Sequence, residues 1–365
     1  MINESRKVNV KYNGRLVGYL VEIEEGRIAF QYDVEWQKNG FSISPISLPL
    51  SNKVYICSKT TFGGLYGVFA DSLPDGWGEL LLRRMLYKKG IDPDKINPLT
   101  KLTLISKNGL GGLEYEPANS FESNTLNCSL DELSVEAQKI LENEDDGVSL
   151  DEIYQYGGSS GGARPKAHIS SFGEEWIVKF PCKIDPKDIG KREFEANSLA
   201  RLCGLNVNEF KMFDSNICSG YFGSRRFDRD SGKRIHMISL AALLETTHRI
   251  PNLDYYHLFQ TTRLICKNDN EMYEVFKRMC FNVLYGNKDD HSKNFSFLYD
   301  EGLKTYILSP AYDLTSTPNK IEHEMTVNGN GNPSEEDMIS LAKNFELSIS
   351  ECKKIIANMK TILKI

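Results

Sequence analysis

A regular apolar spacing in the second half of the chain most constrains what this chain can fold into. In the segment MYEVFKRMCFNVLYG, apolar residues recur at i, i+3, i+4, i+7, i+8, i+11 and i+12. They are Met272, Val275, Phe276, Met279, Cys280, Val283 and Leu284. This period predicts a helix with one buried face, and Gly286 supplies its stop. Since the end of the chain, from Pro333, also has the pattern of two helices, we predict a mainly helical C-terminal lobe.

The loop after this helix concentrates polar side chains. It reads NKDDHSKN and leads into two predicted strands, FSFLY and TYILSP, and then into AYDL. Asp289 stands five residues before Asn294, and Asp313 follows the second strand. This is the spacing of the catalytic loop and the metal-binding Asp of a protein kinase. Asp289 would accept or orient the proton of a substrate hydroxyl, while Asn294 and Asp313 would bind Mg²⁺ through hard oxygen atoms.

An ordinary polar turn is the alternative interpretation of this loop, because turns favour Asn, Asp and Ser. The density of acids beside a fully apolar helix, and Asp313 at the kinase spacing, favour phosphoryl transfer. His291 could be a metal ligand or an acid–base group. A single histidine in such a loop is more often a hydrogen-bonded residue that orients its neighbours, and we favour that role.

A glycine-rich loop, YGGSSGGARPK, precedes two further predicted strands, AHISSF and EWIVKF. Its glycines are Gly157, Gly158, Gly161 and Gly162. Bare backbone of this kind lets amide groups approach phosphate oxygens, and Lys166 could add a positive charge. The loop is not a Walker motif, because Ala167 follows Lys166 where Ser or Thr is required. A flexible linker would have a similar composition, so the role of the loop depends on the strands and the helix after it.

Lys179 lies at the end of the second of these strands, where a kinase keeps its phosphate-binding lysine. The alternative is a solvent-facing lysine on an edge strand. The predicted helix KREFEANSLARLCGL comes next and carries Glu193 and Glu195, either of which could pair with Lys179. Glu193 lies closer to the apolar face of that helix, which favours it, although both could be solvated surface charges.

The first fifty residues have the pattern of strands. VNVKYNG, RLVGYLVEIE and GRIAFQYDVEW are rich in β-branched and aromatic residues, with a turn signal at Asn13-Gly14. A helix follows in SLPDGWGELLLRRMLYKKG, capped by Ser72 or Asp75, and another, SLDELSVEAQKIL, lies within a polar connection. We predict three parts: an N-terminal subdomain over 1–112, a β-rich lobe with its connecting helix and glycine loop over 113–235, and the helical lobe with its catalytic loop over 236–365.

Composition narrows the class of protein. Apolar residues make up 40% and charged residues 26% of the 365 residues, which is typical of a globular protein. The net charge of −6 gives no global basic surface for nucleic acid. Eight cysteines without a CxxC pair indicate reduced thiols in a cytoplasmic protein rather than a zinc ribbon. The start lacks an apolar segment, and no apolar run approaches ~18 residues, which disfavours secretion and membrane contact.

Together these motifs resemble the HipA family of serine/threonine kinases, the toxin components of bacterial toxin–antitoxin pairs. VGYLVEIEEGRIAFQYD, SLPL and VFADSLPDGWGELLL are similar to that family's N-terminal subdomain. GGARPK, VKFP, LARLCGLNV, RRFDR, GNKDDHSKNFSF and AYDL then follow in the family's order. The resemblance covers nearly the whole chain. It implies an α+β, protein-kinase-like bilobal fold with an additional β-rich N-terminal subdomain and a mainly helical C-terminal lobe.

The resemblance also implies which residues form the nucleotide site. ATP would be bound by the glycine loop, by Lys179, by a hinge around adenine and by residues near the catalytic loop. These residues are Gly161, Gly162, Ala163, Arg164, Lys166, Lys179, Arg225, Arg226, Phe227, His291, Lys293, Asn294, Tyr312 and Asp313. Asp289 would be the catalytic base, with Asn294 and Asp313 as the ligands of Mg²⁺ and Glu193 as the partner of Lys179.

The same family autophosphorylates a serine at the start of its glycine loop, which switches the kinase off. Ser159 is the matching position, and Ser160 is adjacent to it. A phosphate there would add about −1.5 to −2 charge beside the ATP phosphates. Repulsion between these anions, or ejection of the loop, would therefore lower activity.

The resemblance implies partners as well. The substrate would be a protein, such as an aminoacyl-tRNA synthetase, and the partner would be a small helix-turn-helix antitoxin through which the complex reaches DNA. Two other functions stay open. One is a kinase-fold binding module that acts with the antitoxin in transcriptional repression. The other is a small-molecule phosphotransferase of the antibiotic-kinase type, which shares the Asp…Asn…Asp arrangement.

Overall fold

The computed structural model describes five stretches of the chain and divides it into two compact units. The described residues are 4–58, 60–119, 128–143, 150–158 and 161–365. Unit 1 consists of Met1–Lys191 and Phe210–Met237, and unit 2 consists of Arg192–Glu209 and Ile238–Ile365. The glycine loop therefore belongs to unit 1, and the catalytic loop predicted around Asp289 belongs to unit 2.

Unit 1 begins with a five-stranded antiparallel sheet in the order β4-β3-β2-β1-β5. Its strands are β1 (Lys7–Tyr12), β2 (Arg15–Glu22), β3 (Ile28–Tyr32), β4 (Val54–Ile56) and β5 (Leu113–Glu116). Val8, Val10 and Tyr12 are buried at every second position of β1, as a half-buried strand requires. The predicted Asn13-Gly14 turn is confirmed. Both residues have positive φ angles, 48° and 77°, which suit a tight hairpin.

Four helices belong to the same part of unit 1: α1 (Val34–Asn39), α2 (Gly67–Ala70), α3 (Gly76–Lys88) and α4 (Pro98–Ile105). The strand predicted over GRIAFQYDVEW is wrong in its second half. The strand β3 ends at Tyr32, and an Asp33 carboxylate oxygen accepts a hydrogen bond from the Glu35 amide (2.9 Å), which caps α1. This cap draws the chain into a helix that buries Trp36.

A second antiparallel sheet of unit 1 has the order β6-β7-β9-β8. Its strands are β6 (Lys166–Ser171), β7 (Glu174–Lys179), β8 (Phe210–Phe213) and β9 (Tyr221–Arg225). Two helices precede the sheet, α5 (Leu130–Leu141) and α6 (Leu150–Gly157). A hairpin of β10 (Arg229–Asp230) and β11 (Lys233–Arg234) follows it. One sheet face buries Ala167, Trp176 and Val178 in a core shared with α3, α5 and α6. The helix α6, directly before the glycine loop, was not predicted from the sequence.

Unit 2 is mainly helical. Its elements are α7 (Ile189–Leu202, which begins in unit 1), β12 (Met237–Ser239), α8 (Leu240–Leu243), β13 (Leu253–Asp254), α9 (Tyr255–Ile265), α10 (Asn270–Tyr285), β14 (Ser296–Asp300), β15 (Thr305–Leu308), β16 (Met325–Thr326), α11 (Glu335–Asn344) and α12 (Ile349–Leu363). The predicted buried helix is confirmed as α10, which ends at Gly286 with a left-handed φ of 76°. Ser334 caps α11, the first of the two helices predicted after Pro333. Within the described stretches, no helix is both long and apolar enough to cross a membrane.

Candidate active site

The glycine loop of unit 1 is attached to the start of α3. Asp75 stands at the cap position of α3 but does not cap it, and its side chain accepts a hydrogen bond from the Gly162 amide instead. The Trp77 amide donates to the Gly162 carbonyl (2.8 Å), and the Trp77 indole donates to the Lys166 carbonyl (3.2 Å). A Cβ at Gly76 would collide with that Gly162 carbonyl. The loop from Gly162 to Lys166 therefore has a defined conformation, unlike a flexible linker.

Two lysines of unit 1 face each other on neighbouring strands. Lys166 of β6 is directly opposite Lys179 of β7, and the strand geometry places directly opposite side chains on one sheet face. Lys166 is buried and its ammonium donates to the Gly161 carbonyl, while the Lys179 ammonium lies 5.9 Å from the centre of the Phe222 ring. Like charges directly opposite each other destabilise a sheet. The pair is therefore suited to an anionic ligand that carries more than one negative charge.

A buried ion network follows the predicted hinge. Arg226 binds Asp228 through two parallel hydrogen bonds, Nε to Oδ1 (2.9 Å) and Nη2 to Oδ2 (2.7 Å). Arg229 and the Gly111 amide donate to the same carboxylate at 2.9 and 2.7 Å. Burial alone would raise the pKa of Asp228, but the two arginines hold that pKa well below its usual value. The three charged residues are neighbours in the sequence, but nothing local shows that they are buried, and their contacts with Gly109 and Gly111 span 117 residues.

The other predicted hinge and loop residues of unit 1 lie nearer the surface. Arg164 is exposed and pairs with Asp185 (2.6 Å), and Arg225 pairs with Glu174 (3.3 Å). Phe227 is half-buried, and Ala163 is exposed in the glycine loop. Neither arginine is committed to the core, so each could move to meet a ligand.

Glu193 and Glu195 of α7 differ in their surroundings. Glu193 is buried and Glu195 is exposed. A buried carboxylate requires a partner, whereas an exposed one does not, so burial favours Glu193 as the functional residue of the two. Lys179 belongs to unit 1 and Glu193 to unit 2, and their pairing stays a prediction.

The catalytic loop of unit 2 joins two residues that spacing alone had singled out. The Asn294 side-chain nitrogen donates to the backbone carbonyl of Asp289 (2.8 Å). The Asp289 carboxylate pairs with the ammonium of Lys320 (2.5 Å) and is still 44% exposed. Lys320 was not predicted, since nothing in its local sequence marks it as a partner of a loop 31 residues earlier.

Asp290, the neighbour of Asp289, is fully buried and is the centre of a hydrogen-bond network in unit 2. Its carboxylate accepts from the Tyr255 hydroxyl (2.8 Å), from His323 Nδ1 (2.9 Å) and from the Glu324 amide (3.0 Å). Burial and the charge of Asp290 raise the pKa of Tyr255 well above its usual value, so its hydroxyl remains a donor. The sequence predicts no role for Asp290. In the structure its carboxyl group anchors the loop.

The remaining predicted residues of unit 2 surround this loop. The Tyr312 hydroxyl donates to the Lys293 carbonyl (2.6 Å) and forms a hydrogen bond with the Ser296 hydroxyl (2.6 Å). The His291 ring lies 5.2 Å from the His248 ring, and its Nδ1 is buried without a hydrogen bond among the described residues. Asp313 has a left-handed φ of 56°, a conformation that is uncommon outside glycine and often marks functional positions.

Metal binding rests on few protein ligands here. Among the residues that the structure describes, no three His, Cys, Asp or Glu side chains are arranged to hold a metal ion. The predicted pair, Asn294 and Asp313, contains one carboxylate and one amide. Such a pair fits Mg²⁺ bound jointly with substrate phosphates, since Mg²⁺ in kinases takes one or two protein carboxylates plus phosphate oxygens and water. The predicted phosphorylation sites, Ser159 and Ser160, lie outside the described residues.

Comparison with known proteins accounts for both halves of the chain. Residues 8–116 match the HipA N-terminal domain, and residues 158–364 match the HipA-like C-terminal domain. The HipA chain in a complex of the Shewanella oneidensis toxin–antitoxin system, with HipB and operator DNA, has the same fold. It superposes with a TM-score of 0.71 over 97% of this chain and 88% of that one, at 18% identity.

Two proteins of Sinorhizobium fredii are similar in sequence. "Putative kinase Y4dM" is 31% identical over 169 residues, which are 42% of this chain and 40% of that protein. "Putative kinase Y4mE" is 26% identical over 354 residues, which are 86% of this chain and 77% of that protein. The match therefore spans less than half the length of the first relative and about three quarters of the second.

These findings define an α+β protein with a protein-kinase-like fold, a β-rich N-terminal subdomain and a mainly helical C-terminal part, as the sequence predicted. The chain belongs to the HipA family, since the HipA-like C-terminal domain alone matches more than half of it. The predicted family is thereby confirmed.

Proposed function

We propose that this chain is an ATP- and Mg²⁺-dependent serine/threonine protein kinase of HipA type, and the toxin of a toxin–antitoxin pair. The observation that carries the proposal is the hydrogen bond from the Asn294 side chain to the Asp289 carbonyl (2.8 Å). It couples the proposed metal ligand to the proposed base within one short turn. Kinase chemistry needs this coupling, because the metal-bound phosphate and the attacking hydroxyl must be held in line.

Features of unit 1 support the nucleotide-binding part of the proposal. The opposed Lys166 and Lys179 are suited to two neighbouring phosphates of ATP. The Arg226 side chain is committed to Asp228, so we assign the adenine contacts of Arg225 to Phe227 to backbone atoms rather than to the guanidinium groups. From the family resemblance, we also propose His291, Lys293 and Tyr312 as nucleotide-binding residues.

The proposed reaction makes modest demands on the protein. Bound ATP would supply the γ-phosphoryl group, and Mg²⁺ held by Asn294 and Asp313 would neutralise charge on its phosphates. Asp289 would accept the proton of the attacking serine hydroxyl as the new oxygen–phosphorus bond forms. Lys166 and Lys179 would hold the phosphates in place while ADP leaves.

The relatives favour this function over the two alternatives. Two similar proteins carry the word kinase in their names, and the solved HipA structure contains HipB and operator DNA. We therefore propose a small helix-turn-helix antitoxin as the partner, with DNA contacted through it. The substrate would be a protein serine, and an aminoacyl-tRNA synthetase is the candidate that the family suggests.

The test is transfer of radiolabelled γ-phosphate from Mg-ATP to the chain itself and to proteins of a bacterial lysate. The variants are Asp289→Asn and Asp313→Asn. Both changes keep side-chain shape, and Asn tolerates the left-handed backbone of Asp313. We expect each to lower the transfer rate by about 100-fold or more. Asp269→Asn is the control, since Asp269 is exposed and makes no side-chain cap bond at the start of α10.

Wild-type protein that binds Mg-ATP without transferring phosphate to any acceptor would contradict the kinase proposal and leave a binding module. Resistance to an antibiotic on expression, without growth inhibition, would favour the small-molecule phosphotransferase. Mass spectrometry of the wild-type chain after incubation with Mg-ATP tests the proposed switch. We expect a phosphate on Ser159 or Ser160 that is missing from Asp289→Asn.

A further inference from the structure

A segment beyond Asp313 is bound to the catalytic loop at both of its ends. At one end, the Thr317 hydroxyl accepts from the Lys288 amide (2.7 Å), and the Thr317 amide donates to the Gly286 carbonyl (3.1 Å). At the other end, the Glu324 amide donates to the buried carboxylate of Asp290 (3.0 Å). The stretch from Thr317 to Glu324 is therefore held in a fixed position against the loop that carries Asp289.

His323 strengthens the second of these attachments. Its Nδ1 lies 2.9 Å from Asp290, and both side chains are almost completely buried. A buried carboxylate with three donors is strongly localised, because each donor satisfies a lone pair that would otherwise lose its water. Asp290 thus fixes the loop and the segment to each other, one residue away from Asp289.

This arrangement brings a lysine to the proposed base. The Lys320 ammonium lies 2.5 Å from Asp289 Oδ1 and 2.6 Å from Glu324 Oε1. Partial burial alone would lower the pKa of Lys320, but the hydrogen bonds to Asp289 and Glu324 raise it above its usual value. Lys320 is therefore a permanent cation between two carboxylates.

A plain surface ion pair is the simplest account of this contact, and such pairs contribute little to stability. Two features argue for more. Lys320 makes two short contacts at once, which restricts its long side chain. Its Asp289 contact uses Oδ1 alone, and Oδ2 forms no hydrogen bond in the described part of the chain. Because Asp289 is still 44% exposed, Lys320 orients the carboxylate without covering it.

We propose that Lys320 is a positioning residue for the catalytic base, with Glu324 as the residue that orients Lys320. The inference rests on the proposed kinase function. The Lys320 ammonium would hold Oδ1 of Asp289 so that Oδ2 faces the substrate hydroxyl. The hydroxyl proton passes to Oδ2 as its oxygen bonds to the γ-phosphorus, and the bond from that phosphorus to the ADP oxygen breaks. Lys320 keeps all of its protons throughout.

The test compares Lys320→Met and Lys320→Arg with the wild-type chain. Initial rates of γ-phosphate transfer from Mg-ATP to the chain itself and to dephosphorylated casein give kcat and the KM for ATP. A small displacement of a catalytic group can cost up to about 100-fold in rate. We expect Lys320→Met to lower kcat by about tenfold or more, while its KM for ATP stays within about twofold of the wild-type value. Lys320→Arg, which keeps the cation, should recover most of the loss.

A matched ion pair elsewhere in unit 2 provides the control. Lys360 lies 2.5 Å from Glu335, and the exposures of that pair, 40% and 43%, resemble the 35% and 44% of Lys320 and Asp289. Lys360→Met should leave kcat unchanged. Lys320→Met and Lys360→Met should have the same midpoint of thermal unfolding and the same affinity for ATP, which calorimetry measures. Lys320 differs from Lys360 in its contact with the proposed base and in its second contact with Glu324, so a loss of kcat in Lys320→Met alone would not come from the loss of a surface ion pair as such.

The possible results distinguish the role of Lys320 from the proposed kinase function. An active wild type with Lys320→Met equal to it in kcat, or with a loss that appears only in the KM for ATP, would overturn the role of Lys320 and leave the kinase proposal intact. A loss of kcat that Lys320→Arg does not recover would also overturn it. A wild type that transfers no phosphate to either acceptor would overturn the kinase proposal, and this inference with it.

Discussion

Two buried carboxyl groups each fix a candidate functional loop, but their partners differ in chemical type. Asp228 of unit 1 is held by two arginines and one backbone amide. Asp290 of unit 2 is held by a tyrosine hydroxyl, a histidine ring and one backbone amide. Both are at most 5% exposed as side chains. One anchor therefore consists of ion pairs with guanidinium groups, whereas the other consists of hydrogen bonds from a hydroxyl, an imidazole ring and an amide.

The difference reflects the groups that each loop has to present. Under the proposed function, unit 1 would present cations to the nucleotide. Arg226 and Arg229 are paired internally with Asp228, so the opposed Lys166 and Lys179 would serve the anion. The catalytic side needs a carboxylate with an accessible oxygen. The donors around Asp290 hold that carboxyl group in a buried position, while Lys320 contacts the partly exposed Asp289.

The first and largest prediction concerns the ionic anchor. Asp228→Asn should lower the free energy of unfolding of unit 1 by about 3–5 kcal/mol, because it leaves buried Arg226 without its counter-charge. Urea denaturation followed by tryptophan fluorescence measures this unit alone, since all three tryptophans, Trp36, Trp77 and Trp176, lie in it.

Asp230→Asn is the matched control for that experiment. Asp230 lies two residues further along, in the following hairpin, and is exposed. Its substitution should change the free energy of unfolding by less than about 0.5 kcal/mol. Equal effects of the two substitutions would contradict the ionic anchor and remove the contrast between the units.

The second prediction concerns the hydrogen-bonded anchor at Asp290. Asp290→Asn places an amide group where donors converge, so Tyr255 or His323 loses its acceptor at a cost of about 2–3 kcal/mol. Because these hydrogen bonds are lost, the amides of α9 and α10 should exchange their hydrogens faster. The loop should also shift, which lowers kcat. A variant with unchanged exchange and unchanged kcat would leave Asp290 as a neighbour of the base without a role.

The sequence predicted the parts of these loops that local spacing encodes. The period of α10, the stop at Gly286 and the Asp289–Asn294 spacing are properties of neighbouring residues, so they could be identified directly. The ion pairs of Asp228 join residues at most two apart, but the sequence does not show that they are buried, and the contacts with Gly109 and Gly111 span 117 residues. Asp290 and His323 are 33 residues apart. A long-range pair leaves no periodic signal in one chain, and Lys320 lies in a stretch with no motif of its own.

The third prediction concerns the pH dependence of the stability of unit 1. Burial lowers the pKa of His236 in unit 1 to about 4, from an unfolded value of about 6.5. Between these values the unfolded chain binds the additional proton, so stability is fully present above about pH 6.5 and falls as the pH drops. At pH 5 the loss from this residue is about 2 kcal/mol. Tryptophan-detected urea denaturation at pH 7 and pH 5 measures it.

His236→Gln provides the internal comparison for the pH effect. The glutamine amide can still donate to the Ile43 carbonyl, which His236 Nε2 contacts at 2.8 Å, but it does not titrate. The difference in unfolding free energy between pH 7 and pH 5 should shrink by about 2 kcal/mol in the variant. An unchanged difference would assign the acid sensitivity to other groups of unit 1.

The smallest effect should fall on the opposed lysines and bears directly on the contrast between the two anchors. If the arginines serve the core and the lysines serve the ligand, Lys179→Met should weaken Mg-ATP binding by about tenfold, which is about 1.4 kcal/mol. Lys211→Met is the control on the same sheet, since its ammonium lies 4.4 Å from the Trp176 ring, whose side chain is part of the buried core. Calorimetric titration with Mg-ATP measures both variants. Equal affinities would mean that the face of β7 that carries Lys179 does not meet the phosphates, and the division of labour between arginines and lysines would have to be abandoned.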